Sequence, residues 1–271
     1  MDQEPGPSPH EASEVGRGTR AMESPPGRHV DVFPDLNALS RAAAEEFARA
    51  ASTAVERNGR FSVALSGGNT PKSLYRLLAS DFRGQIPWDR VHLFWSDERY
   101  VQPGDASSNY SMVRDTLLDR APVPKSNIHP IPTAPPDPNK AASLYEEILR
   151  AFFPTSPPVF DLILLGLGAD GHIASLFPGS HALAEQAHWV VAIQADAQPR
   201  DRISLTLPVI DSAREVMILV SGKEKRDAVA RVLGGGAPQA NPLPAMLMKP
   251  RGTVHWLLDR AAAGGVSSGG R

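Results

Sequence analysis

The chain has 271 residues, of which 41% are hydrophobic, so it can bury a sizeable core in one α/β domain or two small ones. Its 28 basic and 30 acidic residues give a net charge of -2, which argues against a non-specific nucleic-acid binder. The absence of cysteine excludes disulfides, thiolate catalysis and cysteine-based zinc sites, and no apolar stretch approaches the roughly 20 residues that cross a bilayer. We therefore expect a cytoplasmic protein with neither a nucleic-acid nor a membrane partner.

The two ends of the chain lack apolar periodicity. Residues 1–28 are rich in Pro, Gly, Ser and Glu and have no cationic start followed by an apolar core. This composition predicts a disordered leader rather than a secretory signal. Residues 261–271 predict a flexible tail, which leaves a single α/β domain at residues 29–260.

Between these ends, short apolar runs alternate with helix-spaced segments. The predicted strands are residues 30–33, 61–65, 91–95, 162–165, 189–193, 203–207, 216–220 and 253–258. The predicted helices are residues 35–57, a helix that starts at Pro71 with Thr70 as its N-cap, residues 109–118, residues 141–152, and a helix after Gly222. This alternation predicts an α/β fold with a mainly parallel, Rossmann-like sheet that is covered by helices on both faces.

A glycine-containing loop follows the predicted strand at residues 61–65. Its residues are Ser66, Gly67, Gly68, Asn69 and Thr70. Free N–H groups and the helix dipole favour an anion at such a position, and the glycines let a phosphate come close. An ordinary tight turn is the alternative. Because the loop lacks the Gly-Lys-Ser/Thr ending of a nucleotide P-loop, it favours a small phosphorylated metabolite over ATP.

A charged segment ends the predicted strand at residues 91–95. In a parallel sheet this end faces the same edge as the glycine loop, where ligands collect. Asp97 can accept a proton or bind a hydroxyl there, and Arg99 can hold an oxyanion. A solvated charge cluster is the alternative interpretation.

The third loop follows the apolar run at residues 162–165. Gly166, Gly168 and Gly171 match the spacing of a dinucleotide-binding motif, but Pro178 leaves no room for the long helix which that motif requires. The loop instead presents His172 two residues after Asp170. Histidine exchanges protons near neutral pH and a carboxylate can orient it, so His172 is the best candidate for a general base. No neighbouring residues complete a metal site.

Two basic residues are candidates to complete a phosphate site. Arg202 lies at the entry of a predicted strand, and Lys225 lies in the first turn of the helix after Gly222. A guanidinium can clamp a phosphate with two hydrogen bonds, and an ammonium adds a point charge. Plain surface charge is the alternative for each.

Several segments together resemble the 6-phosphogluconolactonase family. They are residues 65–71 (LSGGNTP), 95–100 (WSDERY), 108–110 (SNY), 166–178 (GLGADGHIASLFP), 202–206 (RISLT) and 221–225 (SGKEK). The resemblance implies a fold shared with glucosamine-6-phosphate deaminases and ribose-5-phosphate isomerases. It also implies hydrolysis of 6-phospho-glucono-1,5-lactone in the oxidative pentose phosphate pathway, with no required cofactor and with a small sugar-phosphate lactone as the partner. Whether the chain is a monomer or a dimer stays open.

Two alternatives accompany this resemblance. The related deaminases share the first part of the His172 segment but continue with Asn-Glu-Pro, where this chain has Leu176, Phe177 and Pro178. The other alternative is a sugar-phosphate sensor without catalysis. For a lactonase, we expect His172 to take a proton from water, with Asp170 or Asp97 holding its tautomer. Arg99 would meet the oxyanion or the ring hydroxyls, and the Ser66–Thr70 loop, Arg202 and Lys225 would hold the phosphate.

Overall fold

The computed structural model describes residues 27–134, 136–234, 241–266 and 269–270. Its strands are β1 (Arg28–Phe33), β2 (Phe61–Leu65), β3 (Val91–Trp95), β4 (Asp97–Arg99), β5 (Leu162–Gly166), β6 (Val190–Gln194), β7 (Asp201–Leu205), β8 (Glu215–Val220), β9 (Thr253–Asp259) and β10 (Gly269–Gly270). Its helices are α1 (Leu36–Asn58), α2 (Asn69–Ala79), α3 (Asn109–Val113), α4 (Pro138–Phe152), α5 (Leu207–Ser212), α6 (Arg226–Leu233) and α7 (Arg260–Ala263). A π-helical turn, Arg114–Leu118, extends α3.

The main sheet has seven strands in the order β10-β1-β9-β8-β5-β2-β3. All of its pairings are parallel except the one between β1 and the short edge strand β10. Every residue of β2 is buried, so both faces of the sheet are covered at this strand, as its continuous apolar run predicts. The α/β fold with a mainly parallel sheet is therefore confirmed.

A second sheet was not foreseen from the sequence. It has three antiparallel strands in the order β4-β7-β6, and its first strand is the charged segment Asp97–Arg99. The sequence predicts strands at residues 189–193 and 203–207 but gives no sign that they leave the main sheet. The chain crosses from one sheet to the other at Ser96, whose N–H still donates to Leu65 of β2. This crossing turns the side chains of β4 toward the end of the main sheet.

The ends of the chain are only partly described. Residues 1–26 of the predicted leader lie outside the described residues, and Arg28 already belongs to β1. The sequence predicts a flexible tail from residue 261, whereas α7 runs to Ala263 and Gly269–Gly270 pair with β1. The physical reason is burial, because Ala262 and Ala263 are packed in the core. In the described part of the chain, none of the helices is long and apolar enough to cross a membrane.

An aromatic cluster that includes two histidines lies away from the strand ends that carry the site. His92 Nδ1 is 3.3 Å from His129 Nε2, and His129 stacks on Phe94 with ring centroids 4.4 Å apart. Burial and the neighbouring His92 lower the pKa of His129 to about 4, and burial and Arg60 lower the pKa of His92. Both imidazoles are therefore held neutral in the folded chain.

This cluster predicts that the fold loses stability in acid. The folded pKa of each histidine is below its unfolded value of about 6.5, so the unfolded chain takes up protons first as the pH falls. The free energy of unfolding should decrease from about pH 6.5 to about pH 4, with the thermal midpoint falling by roughly a few °C. Thermal unfolding of the wild type and of His129→Phe between pH 7 and pH 5 checks this. A variant that loses as much stability as the wild type would contradict it.

Candidate active site

A cleft lies at the carboxyl ends of four neighbouring strands, β8, β5, β2 and β3. Its volume is about 530 Å³. In an open parallel sheet this edge is the usual place for a ligand, because the loops that leave the strands converge there. The cleft is lined by every residue that the sequence singles out except Asp170, namely Ser66, Gly67, Gly68, Asn69, Thr70, Asp97, Arg99, His172, Arg202 and Lys225. The structure thus brings together residues from five separate segments.

Asp170 is missing from the cleft lining because it lies behind His172. The carboxylate oxygen Oδ1 of Asp170 is 2.6 Å from Nδ1 of His172, and the same oxygen accepts the His172 backbone N–H at 3.2 Å. Burial alone would raise the pKa of Asp170, but the hydrogen bond and the charge of His172 outweigh it and lower this pKa. Asp170 is therefore an ionised acceptor, and Nε2 is the imidazole nitrogen left for a ligand.

Gly168 makes the contact between His172 and Asp170 possible. A Cβ at Gly168 would collide with Nδ1 of His172 and with Oδ1 of Asp170. The N–H of Gly168 donates to the His172 carbonyl at 2.8 Å, and Gly171 turns the chain with a φ of 81°. The glycine-rich pattern thus serves the histidine–carboxylate pair. Among the described residues, the next element after β5 is the short 3-10 turn His181–Ala184, whereas a dinucleotide motif requires a long helix there.

His172 lies between two cavities of different electrostatic character. The second cavity, of about 1280 Å³, is lined by Asp137, Asp170, Asp196 and Asp201, and no lysine or arginine of the described part of the chain lines it. The smaller cleft carries Arg99, Arg202 and Lys225. Asp97 and Glu224 also line the smaller cleft, so among the described residues its cations outnumber its carboxylates by three to two, and an anion is favoured there over the larger cavity.

Phe177 forms a wall that borders both cavities. Its ring is tilted against the His172 imidazole, with ring centroids 4.7 Å apart. The side chain at this position is thus apolar and in direct contact with the candidate base. No carboxylate occupies the place where the related deaminases are expected to have one.

Asp97 lines the cleft, but its hydrogen bonds are with residues other than His172. Its Oδ2 accepts the Ser175 hydroxyl at 2.6 Å, and Asn109 Nδ2 donates to the Asp97 carbonyl at 2.9 Å. The sequence left open whether Asp170 or Asp97 orients the histidine, and the contact in the structure is with Asp170. Ser175 and Asn109 are cleft residues that the sequence analysis missed, although both lie in segments that contribute to the family resemblance.

Glu98 follows Asp97 in the charged segment, and hydrogen bonds allow its carboxylate to be buried. Its carboxylate accepts backbone N–H groups of Arg99, Asn109 and Tyr110, each at 2.7 Å, and the Ser108 hydroxyl at 3.1 Å. It thereby caps the first turn of α3. Burial raises the pKa of Glu98 even though these hydrogen bonds lower it. The solvated-cluster alternative is therefore wrong for this segment.

The Ser66–Thr70 loop leaves the start of α2 open. The predicted N-cap Thr70 is wrong: α2 begins at Asn69, its N-cap position is Gly68 with a φ of 98°, and no side chain caps it. Gly67 is pressed against Asn109, whose amide oxygen a Cβ would strike. No capping side chain therefore binds the N–H groups at the start of α2. This positive end of the helix lines the cleft.

Two arginines stand side by side at one wall of the cleft. Arg99 and Arg202 are opposite each other in the register of β4 and β7. Among the described residues, the buried Nε atoms of both have no hydrogen-bond partner. Burial and the charge of Arg99 lower the pKa of Arg202, which is only 8% exposed. A buried cation opposite a partly buried one favours an anion between or beside them.

Lys225 lies at the other wall, on the loop after β8. The sequence places it in the first turn of a helix, whereas the structure places it at the end of a 3-10 turn, Lys223–Lys225, just before α6. Asp259 holds this loop, because it accepts the Ser221 hydroxyl at 2.5 Å and the Gly222 N–H at 3.2 Å. Lys225 thus approaches the cleft from a loop, whereas Arg202 approaches it from strand β7.

Comparisons with known proteins identify similar sequences and similar structures. Residues 34–256 match the family model described as glucosamine-6-phosphate isomerases/6-phosphogluconolactonase. The 6-phosphogluconolactonase of Nostoc sp. is 41% identical over 243 residues, which cover 88% of this chain and 98% of that protein. The solved 6-phosphogluconolactonase of Trypanosoma brucei is 29% identical with a TM-score of 0.78, covering 90% of this chain and all of that one. A monomeric glucosamine-6-phosphate deaminase is similar in fold, with a TM-score of 0.73 at 22% identity over 87% of this chain and 98% of the other.

Proposed function

The chain belongs to the glucosamine-6-phosphate isomerase/6-phosphogluconolactonase family, and we propose that it hydrolyses 6-phospho-D-glucono-1,5-lactone to 6-phospho-D-gluconate. This is a reaction of the oxidative pentose phosphate pathway. The observation that carries the proposal is one cleft that combines the His172–Asp170 pair with Arg99, Arg202 and the open end of α2. Lactone hydrolysis needs both a base for water and a site for the phosphate.

His172 is the proposed general base. Because Asp170 accepts a hydrogen bond from Nδ1, the neutral imidazole has Nε2 free to take a proton from water. The water oxygen attacks the C1 carbonyl as its proton passes to Nε2, and a tetrahedral oxyanion forms. Its collapse breaks the bond between C1 and the ring oxygen, and the proton on His172 moves to that oxygen. The histidine is then neutral again.

The cationic groups have two proposed tasks. Arg99 stabilises the negative charge that develops on the C1 oxygen or binds the ring hydroxyls. Arg202, Lys225 and the Ser66–Thr70 loop hold the 6-phosphate. Since Arg99 and Arg202 are neighbours in the strand register, the two ends of the substrate are held by adjacent parts of a single wall. Binding the remote phosphate positions the lactone and so contributes to rate as well as affinity.

The experiment that tests the proposed function is a parallel activity assay. The purified chain is given 6-phospho-glucono-1,5-lactone, with product followed by a coupled assay, and separately glucosamine 6-phosphate, with ammonia release followed. We expect lactone loss well above spontaneous hydrolysis and no deamination, because the apolar Phe177 lies against His172 at the position where the deaminases are expected to carry a carboxylate. Deamination without lactone hydrolysis would assign the chain to the other branch. Tight binding of 6-phosphogluconate without turnover of either compound would make it a sensor.

The role of Asp170 gives a smaller but specific prediction. Asp170→Asn should lower kcat by about 10- to 10³-fold, because an amide can hold the wrong imidazole tautomer. The effect should stay below the ~10⁴ of a buried triad, since the Asp170 side chain is 49% exposed. Steady-state kinetics with the phosphorylated lactone measure it.

The matched control is Asp196→Asn, which removes a carboxylate from the same acidic cavity. This variant should keep kcat within about twofold, the range expected of an exposed surface change. Equal losses in the two variants would mean that the general charge of the cavity matters, and not the contact with His172.

A further inference from the structure

Two fully buried tyrosines hold the ends of neighbouring strands in the same way. The hydroxyl of Tyr75 accepts the Ser66 N–H at 3.0 Å and donates to the Ser66 carbonyl at 2.7 Å. The hydroxyl of Tyr145 accepts the Trp95 N–H at 2.8 Å and donates to the Trp95 carbonyl at 3.0 Å. Each tyrosine thus satisfies both backbone groups of one residue where the main sheet ends.

The contact of Tyr75 with Ser66 should matter more for the site than the contact of Tyr145 with Trp95, because of where Ser66 lies. The last paired residue of β2 is Leu65, which lies opposite Trp95, so Ser66 is the first residue beyond the ladder. Without a ladder partner, its N–H and carbonyl depend on Tyr75. A buried backbone group left without a hydrogen-bond partner destabilises the structure, so removal of the Tyr75 hydroxyl should favour a rearrangement of this backbone.

Tyr75 also joins the first residue of the Ser66–Thr70 loop to α2. It belongs to α2, the helix whose first two residues, Asn69 and Thr70, end the loop, and it is fully buried. Its hydroxyl therefore ties the helix back to the first residue of the loop, nine positions earlier. This hydrogen bond therefore fixes the direction of the free N–H groups at the start of α2. Burial raises the pKa of Tyr75, so the phenol keeps the proton that it donates.

We propose that Tyr75 is a positioning residue for the phosphate of the substrate: its hydroxyl fixes the backbone of the Ser66–Thr70 loop in the conformation that presents free N–H groups to the anion. The inference rests on the proposed function, because it takes this loop as a phosphate site. Tyr75 itself does not line the cleft and does not touch the substrate.

Tyr145 offers a matched control in the same chain. It has the same burial and the same double hydrogen bond, but the segment beyond Trp95 is held by other contacts as well. Residues 97–99 pair with β7, and Glu98 and Asn109 bind this segment to α3. Loss of the Tyr145 hydroxyl should therefore cost stability without moving the site.

The test compares Tyr75→Phe with Tyr145→Phe and Arg202→Ala. KM and kcat are measured with 6-phospho-glucono-1,5-lactone and with unphosphorylated glucono-1,5-lactone, and thermal midpoints are recorded. Tyr75→Phe should raise KM for the phosphorylated lactone by about 3- to 10-fold, the effect of one lost hydrogen bond, with kcat within about threefold. Its kcat/KM for the unphosphorylated lactone should stay unchanged. Tyr145→Phe should lose a similar amount of stability and keep both KM values within about twofold.

The outcomes separate the two proposals. If Arg202→Ala loses its preference for the phosphorylated lactone and Tyr75→Phe behaves like Tyr145→Phe, the positioning role is wrong and the proposed function stands. If neither Arg202→Ala nor Tyr75→Phe changes the preference, the phosphate site itself has been misplaced.

A measurement on the wild type covers the case in which Tyr75→Phe does not fold. Amide hydrogen exchange is followed with and without inorganic phosphate. The Ser66 amide should be protected in both conditions, whereas the amides of Gly68, Asn69 and Thr70 should gain protection only with phosphate. A Ser66 amide that exchanges as fast as that of Gly68 without phosphate would overturn the proposal.

Discussion

The His172→Ala variant is expected to lose about 10²- to 10⁴-fold in kcat with the phosphorylated lactone, the range for a positioned general base. The physical reason is that Asp170 occupies Nδ1 at 2.6 Å, which leaves Nε2 as the nitrogen of this cleft residue that can take the proton of water. Substrate binding should change little, because the cations proposed to hold the phosphate are on other strands and loops. Steady-state kinetics corrected for spontaneous hydrolysis provide the measurement.

His181→Ala is the matched control for this loss. His181 lines the larger, acidic cavity, which it shares with His172, but does not line the cleft that carries Arg99 and Arg202. It should keep kcat within about twofold, as expected of an exposed change. If the His172→Ala variant hydrolyses the lactone at a near-normal rate, His172 is not the general base. Equal losses in the two variants would point to the cavity rather than to the imidazole.

The second large effect is expected from Arg202→Ala. Arg202 is 8% exposed, its Nε has no hydrogen-bond partner among the described residues, and it lies opposite Arg99. Truncating one member of a buried, hydrogen-bonded charge pair costs about 2–5 kcal/mol, so kcat/KM for the phosphorylated lactone should fall by about 10²-fold or more. For unphosphorylated glucono-1,5-lactone the loss should be small, since no phosphate contact exists to be removed.

Arg200→Ala controls for the removal of a positive charge from the same segment. Arg200 is exposed and does not line the cleft. It should keep the preference for the phosphorylated lactone. If Arg202→Ala discriminates between the two lactones as well as the wild type does, Arg202 is not a phosphate ligand and the anion binds elsewhere.

Much of the fold and of the site could be predicted because local patterns encode them. Strands β2 and β3 have the predicted bounds, since a continuous apolar run between turn residues is a strong signal for a strand buried on both faces. The strand ends of a parallel sheet meet at one edge, and this rule places the Ser66 loop, Asp97 and His172 in one cleft. The neighbour of His172 is also local, because Asp170 is only two residues away.

The contacts that could not be predicted join distant parts of the chain. The Ser175 hydroxyl reaches Asp97 across 78 positions, and Tyr145 reaches Trp95 across 50. The second sheet depends on the pairing of β4 with β7, for which a three-residue charged segment gives no apolar signal. Thr70 was predicted as an N-cap because its residue type suits that role, but the positive φ of Gly68 starts α2 earlier and leaves the helix end uncapped. At the start of α2, the tertiary structure therefore overrides the preference of threonine for the N-cap position. This is the place where an anion is expected to bind.

The most direct test of the account is the rate at which the wild type consumes 6-phospho-glucono-1,5-lactone, compared under the same conditions with unphosphorylated glucono-1,5-lactone. The account predicts enzyme-dependent loss of the phosphorylated lactone far above its spontaneous hydrolysis and a preference over the unphosphorylated lactone of about 10²-fold or more, from the binding energy of one phosphate. Loss of the phosphorylated lactone at the spontaneous rate, or equal rates with the two lactones, would contradict it.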